Sequence, residues 1–311
     1  MTIAVLLLPL LVPWAAPPLA RRVLDRCPPV LALWTLTASA VLLAGGTVAA
    51  LGTLALTGLL KIPAFAALGD LVHPLRTPSL LLILPLAAVA TGLLTVGALA
   101  LGLSLVRQTA GLRSARAEAG RGPTAGDLCV VDSPRADAYA LPGRPHRIVV
   151  TTAMLRSLDA AEREALFAHE RAHNAGGHHY FLAGAELAAH CHPALRPVRE
   201  AVRLAAERAA DEAAASTVGD RRLTARAIAR AALATTSRPV PHPPVTPAAT
   251  TGPVPRRVAA LLAPVRRTPR AAALWIAALL TTCAALSCAV AMTGVFDIHQ
   301  DIEVAQGEVG H

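Results

Sequence analysis

Four long apolar runs constrain this chain more than any other feature of its sequence. They cover roughly 3–20, 30–60, 78–106 and 271–296, and none contains Lys, Arg, Asp or Glu. A bilayer core takes about 20 apolar residues of helix. Without water to satisfy the backbone, a helix is the form such a run adopts there. Bulk composition agrees: hydrophobic residues make up 54% of the 311 residues, charged residues 16%, and the mean hydropathy is +0.50. A soluble domain carries more charge than this. The sequence therefore predicts an integral-membrane α-helical protein with four transmembrane helices. Gly45 and Gly46 sit inside the long second run, which leaves open a kinked helix or one overlong, tilted helix.

The basic residues give the expected orientation. Short cytoplasmic segments are enriched in Lys and Arg. Arg21 and Arg22 follow the first run, so it reads as an anchor with its N-terminus outside rather than a signal peptide, whose charge comes first. The 61–77 loop holds only Lys61 and Arg76 of the 29 basic residues, and the 297–311 tail holds none but has four acids, Asp297, Asp301, Glu303 and Glu308. The segment between the third and fourth runs is thus expected in the cytoplasm, with both termini outside. Topology accounts for the net charge of +9. With 3% aromatics and no nucleic-acid motif, direct nucleic-acid binding is not expected. Cys27, Cys129, Cys191, Cys283 and Cys288 form no C-x-x-C pair and read as free thiols.

Residues 107–237 form the polar insert. An Arg/Ala/Gly-rich stretch to about 126 reads as a connector, and 127–131, 138–141 and 147–151 read as short strands. Such a sheet could bind an extended peptide along its edge. Asp159 and Glu162 fit a capping box opening a helix that ends at Asn174-Ala175-Gly176-Gly177. Further helices are expected near 181–190, 195–217 and 222–235. Residues 238–270 read as a Pro-rich linker and basic juxtamembrane segment, 271–296 as the fourth span, and 297–311 as a short acidic tail.

The capped helix carries His169-Glu170-Arg171-Ala172-His173, an H-E-x-x-H pattern. Four residues apart on a helix, His169 and His173 share a face and can hold one metal, while Glu170 reaches the attacking water as a base. A catalytic zinc takes three protein ligands and keeps one position open. Glu207, on a later helix, is the expected third ligand. Asp211, one turn on, is expected to fix a ligand histidine's tautomer. The bland alternative makes Glu207 a surface acid paired with Arg203 or Arg208. Glu212 points off the Glu207–Asp211 face and reads as exposed. Oxyanion donors stay open among Tyr139, Tyr180, His178, His179, His190 and His192, with Tyr139, Tyr180 and His192 carried forward. Tyr139 also fits simple packing, and His178 and His179 read as exposed residues after a Gly-Gly turn.

The order of these features resembles the BlaR/MecR-type integral-membrane zinc metallopeptidases, gluzincin antirepressors best known from β-lactam sensing. The strand run from Val130-Val131-Asp132-Ser133-Pro134 through Ala138-Tyr139-Ala140-Leu141-Pro142-Gly143 to Ile148-Val149-Val150 is similar to that family. It is similar also to the family's relatives among CAAX proteases and heat-shock membrane peptidases. The resemblance implies an α+β zincin-like domain between helices three and four. It implies zinc on His169, His173 and Glu207, Glu170 as catalytic acid/base, Asp211 behind the ligands, and a cytoplasmic repressor as substrate. The family's extracellular penicillin-binding domain has no counterpart in the roughly 15-residue tail, so β-lactam sensing through such a domain is not expected. Two further readings stand beside a signalling endopeptidase: a heat-shock-type quality-control peptidase, and a membrane scaffold that keeps the metal fold without turnover. The intact Glu170 disfavours the scaffold.

Overall fold

The computed structural model describes residues 8–59, 80–236, 253–264 and 278. The expected fourth span and the acidic tail lie outside the described residues, Ala278 apart. Two of the described helices are long and apolar enough to cross a membrane: α2 (Pro29–Leu59) and α3 (Leu80–Ala119), the latter from Ile83 onward. These two helices are consistent with a membrane protein.

Of the expected first span, residues 8–20 are described, and they are helical throughout. A 3₁₀ turn containing Pro13, Val12–Ala15, interrupts the α-helical geometry, and Pro17 and Pro18 fall in the first turn of the 11-residue α1, Ala16–Arg26, where a missing backbone donor is tolerated. The second run is one helix, with Gly45 and Gly46 inside it. Packing requires glycine at position 58 of that helix, because a Cβ there would collide with Ala87 of α3.

α3 continues beyond its apolar part to Ala119, through the stretch expected to be a connector. Residues 107–119 are rich in Arg and Ala, both good helix formers. Leu112, Ala115 and Ala119 of this extension pack on the sheet against Cys129, Tyr139, Leu141 and Val149.

The sheet has strands β1 (Thr124–Ala125), β2 (Leu128–Val131), β3 (Ala138–Leu141) and β4 (Arg147–Thr151), in the order β1-β2-β4-β3. β2 runs parallel to β4, and β3 runs antiparallel to it with Tyr139 opposite Val149. Side chains alternate across a strand. Tyr139 and Val149 therefore face α3, whereas Ala138 and Val150 face Met154, Leu158 and Leu166 on the other side. On that second face lie α4 (Thr152–Ser157) and α5 (Ala160–Ala175). Next come α6 (His178–Cys191), α7 (Arg196–Val218) and α8 (Arg221–Thr236), close to expectation.

Within the segment expected to be linker and juxtamembrane region, Val254–Leu262 forms a further helix, α9. Val254, Val258 and Leu261 recur at helical spacing, and they pack on Ala215, Ala225 and Ile228 of α7 and α8.

The largest core joins both halves of the chain. Leu33, Leu36, Ala40 and Leu43 of α2 pack with Phe181 and Leu182 of α6 and with Val198 and Val202 of α7. Trp34 meets Phe181 edge to face, with ring centroids 4.8 Å apart.

Candidate metal centre

The start of α5 is fixed by a reciprocal cap. Asp159 Oδ1 accepts from the Glu162 N–H at 2.9 Å, and Glu162 Oε2 accepts from the Asp159 N–H at 3.0 Å. Glu162 is also fully buried and takes Arg226 and Arg230 of α8. This one carboxylate therefore sets the helix register and ties α8 to it. Two and three turns on, His169, Glu170 and His173 lie on the buried face, none more than 1% exposed. Asn174 Nδ2 donates to the Arg147 carbonyl and anchors the end of α5 to β4.

α7 brings in the acids. Glu207 and Asp211 are one turn apart and both buried. His169 Nε2 and His173 Nε2 are 3.0 Å apart. Glu207 Oε2 is 3.5 Å from the first and Oε1 3.6 Å from the second. Tetrahedral zinc ligands 2.0–2.2 Å from the ion stand about 3.3 Å from one another. Two imidazole nitrogens and a carboxylate at these spacings fit a zinc-type ion, and the His169, His173 and Glu207 group could hold a metal.

Behind the ligands stand partners that orient them. His169 Nδ1 lies 3.0 Å from Asp211 Oδ1. Burial works against a proton on His169, but Asp211 and then Glu207 outweigh it and lift its pKa to about 9. His173 behaves in the opposite way: burial, then the charges of His169, His178 and Arg257, hold it well below the usual imidazole range. Asp211 is pushed down to about 2, because the Arg257 guanidinium outweighs the cost of burial.

Two of these partners lay outside the sequence expectations. His178 was expected to be exposed. It is 5% exposed, and its Nδ1 lies 2.8 Å from Nδ1 of His173. The Gly176-Gly177 turn causes this: Gly177 adopts a left-handed conformation, φ +60°, and folds α6 back over α5. At Gly176 a Cβ would stand 2.6 Å from His178 Nε2. The second is Arg257 of α9, which is fully buried. Its Nη1 lies 2.9 Å from Glu207 Oε2, and its Nε and Nη2 donate to the two oxygens of Asp211 at 2.9 and 2.7 Å. The sequence did carry a signal, since Arg257 falls between Val254, Val258 and Leu261 on the apolar stripe of α9. A charge in such a stripe needs partners.

The three donors carried forward, Tyr139, Tyr180 and His192, have other surroundings. Tyr139 lies on the sheet face opposite α5, packed under α3. His192 is occupied by backbone: Nδ1 accepts from the Ala194 N–H at 3.2 Å, and Nε2 donates to the Leu10 carbonyl at 3.1 Å. Tyr180 is 73% exposed on α6, its ring against His179. His190 Nδ1 meets the Glu186 carbonyl at 2.7 Å. The surface-acid reading of Glu207 does not hold either. Arg208 donates to the Leu24 carbonyl, and Arg203 lies 4.0 Å from Glu200. Glu212 is half exposed and binds Arg221.

Two histidines and a glutamate around one point, with a second glutamate next in sequence, is the donor set of a metallopeptidase. Residues 106–195 match Peptidase family M48. The matched stretch runs from the end of the apolar part of α3 through the sheet, α5 and α6, and contains His169, Glu170 and His173. Glu207, Asp211 and Arg257 lie beyond it. No curated protein and no solved structure matches the chain. The family match supports a metallopeptidase relative, a hydrolase of peptide bonds, and makes no choice between the BlaR/MecR-type resemblance and other membrane peptidases.

Proposed function

We propose that this chain is a membrane-embedded zinc endopeptidase that cleaves a cytoplasmic protein. The observation carrying the proposal is the convergence of His169 and His173 of α5 with Glu207 of α7, beside the buried Glu170 of α5. A zinc ion held by the first three residues would supply an acidified water and polarise the scissile carbonyl. Glu170 accepts the proton of the attacking water and returns it to the departing amine. Asp211 and His178 hold the ligand imidazoles by their far nitrogens, so that both Nε2 atoms face inward. β3, at the edge of the four-stranded sheet and close to α5, offers a row on which an extended substrate can pair as an added strand.

The charge distribution supports a cytoplasmic face for the peptidase segment, and the BlaR/MecR-type resemblance points to a transcriptional repressor as substrate. Quality control in the manner of heat-shock membrane peptidases is the alternative, and the two differ in their substrates. The decisive experiment compares wild type with Glu170→Gln in the full chain, following proteolysis and zinc content together. The variant should keep its zinc and lose about 10²–10⁴-fold in turnover; unchanged cleavage would overturn the peptidase reading. Reporter fusions after residue 240 and at the C-terminus test the sidedness, and an external signal at 240 would reverse it.

A further inference from the structure

Arg257 stands outside the His169–His173–Glu207 group, on a helix 46 residues beyond Asp211 in sequence, yet it touches two of the acids of the site. Its three nitrogens are divided between them. Nη1 lies 2.9 Å from Glu207 Oε2, while Nε and Nη2 form a two-pronged contact with Asp211 at 2.9 and 2.7 Å. Asp211 in turn lies 3.0 Å from His169 Nδ1. One planar guanidinium thus reaches a metal-ligating carboxylate directly and a metal-ligating imidazole through one intermediary. A planar fork fixes direction as well as charge, which an ammonium group does not.

The helix that delivers Arg257 is held in place from its far end. Arg221 donates from Nε to the Leu261 carbonyl at 3.0 Å and from Nη2 to the Ala260 carbonyl at 3.1 Å, satisfying the end of α9. The same Arg221 grips Glu212 of α7. α9 is therefore clamped to the helix that carries Glu207 and Asp211, and Arg257 has a fixed position from which to act.

We propose that Arg257 is a positioning residue of the metal centre, aligning Glu207 directly and His169 through Asp211, so that α9 belongs to the catalytic unit. The inference rests on the metal reading of the His169–His173–Glu207 group. Charge and orientation act on a bound dication with opposite signs here. Removing a positive charge from beside two carboxylates strengthens the pull on a dication. Removing the fork frees Glu207 and Asp211 to turn away and weakens the grip.

The test is zinc retention by the full chain against a competing chelator, in wild type, Arg257→Gln, Arg257→Lys and Arg256→Gln, with thermal unfolding followed in parallel. Arg256 is the exposed neighbour on the same helix and should behave as wild type. Arg257→Gln should release zinc with an affinity loss of about tenfold or more. Arg257→Lys keeps the charge without the fork and should show most of the same loss. If Arg257→Gln does not fold, the Lys variant carries the comparison. Zinc held as tightly as in wild type, or more tightly, in either folded variant overturns the proposal. A His169→Ala/His173→Ala variant separates the two levels: equal zinc in it and in wild type defeats the metal reading itself, whereas a difference there with intact retention in the Arg257 variants defeats the positioning role alone.

Discussion

Nδ1 of His178 sits 2.8 Å from Nδ1 of His173, so the second histidine of the H-E-x-x-H helix is steadied by the first residue after the turn that ends it. Burial drives the His178 pKa down to about 4, which keeps this ring neutral and able to accept from His173. Replacing His178 by Ala should lower zinc affinity about 10- to 100-fold with the fold retained, as loss of such an outer partner does. Chelator competition measures it; unchanged affinity would assign His178 to packing alone.

Gly176 makes that contact possible. A methyl group there would meet His178 Nε2 at 2.6 Å and the Ala172 carbonyl at 3.1 Å. Gly176→Ala should therefore displace the His178 ring and reproduce the His178→Ala loss of zinc affinity in part. A normal affinity in Gly176→Ala would show that the ring can settle elsewhere without cost.

Glu162 is expected to matter for stability and not for metal. Its removal takes away half of the cap and the buried partner of Arg226 and Arg230. Glu162→Ala should cost about 1–3 kcal/mol and leave the zinc stoichiometry unchanged. Thermal unfolding paired with metal analysis distinguishes this from a role in the site, which would show as lost zinc.

A pH-dependent contribution comes from Asp127 and Arg171, a two-pronged pair at 2.7 and 2.8 Å joining the start of β2 to α5. The Arg171 hydrogen bond, against a smaller opposing effect of burial, depresses the Asp127 pKa. A depressed carboxylate stabilises the fold above its unfolded pKa of about 3.9 and loses that contribution as pH falls through the lower folded value. Both side chains are more than a third exposed, 52% and 37%, so screening keeps the contribution to about 0.5 kcal/mol. Asp127→Asn should lower stability by that amount at neutral pH and by nothing once the aspartate is protonated. A loss that persists in acid would point to packing.

Where the relevant forces were local, they were legible in the residues. The Asp159–Glu162 cap, the strands β3 and β4, and the four-residue spacings of His169–His173 and Glu207–Asp211 all depend on neighbours within a turn or a strand. What escaped depends on tertiary approach. His178 follows a Gly-Gly turn that reads as a loop until the sign of the Gly177 φ folds α6 back. Arg257 lies across a Pro-rich stretch, where composition suggests a linker. Tyr139 and His192 had the right chemistry for an oxyanion donor. The strand pleat turned Tyr139 to the far face of the sheet, and the Pro193–Leu195 turn and the Leu10 carbonyl each occupied one nitrogen of His192.

The core in which α2 packs against α6 and α7 bears on how the protein can be handled. Residues 107–237 cut out as a soluble fragment would lose the partners of Phe181, Leu182, Val198 and Val202, baring a contiguous apolar face of the kind that aggregates. Biochemistry on the peptidase therefore calls for the intact chain in detergent or lipid. By the same logic, the cell should obtain no active enzyme from a clipped product that has shed its N-terminal helices.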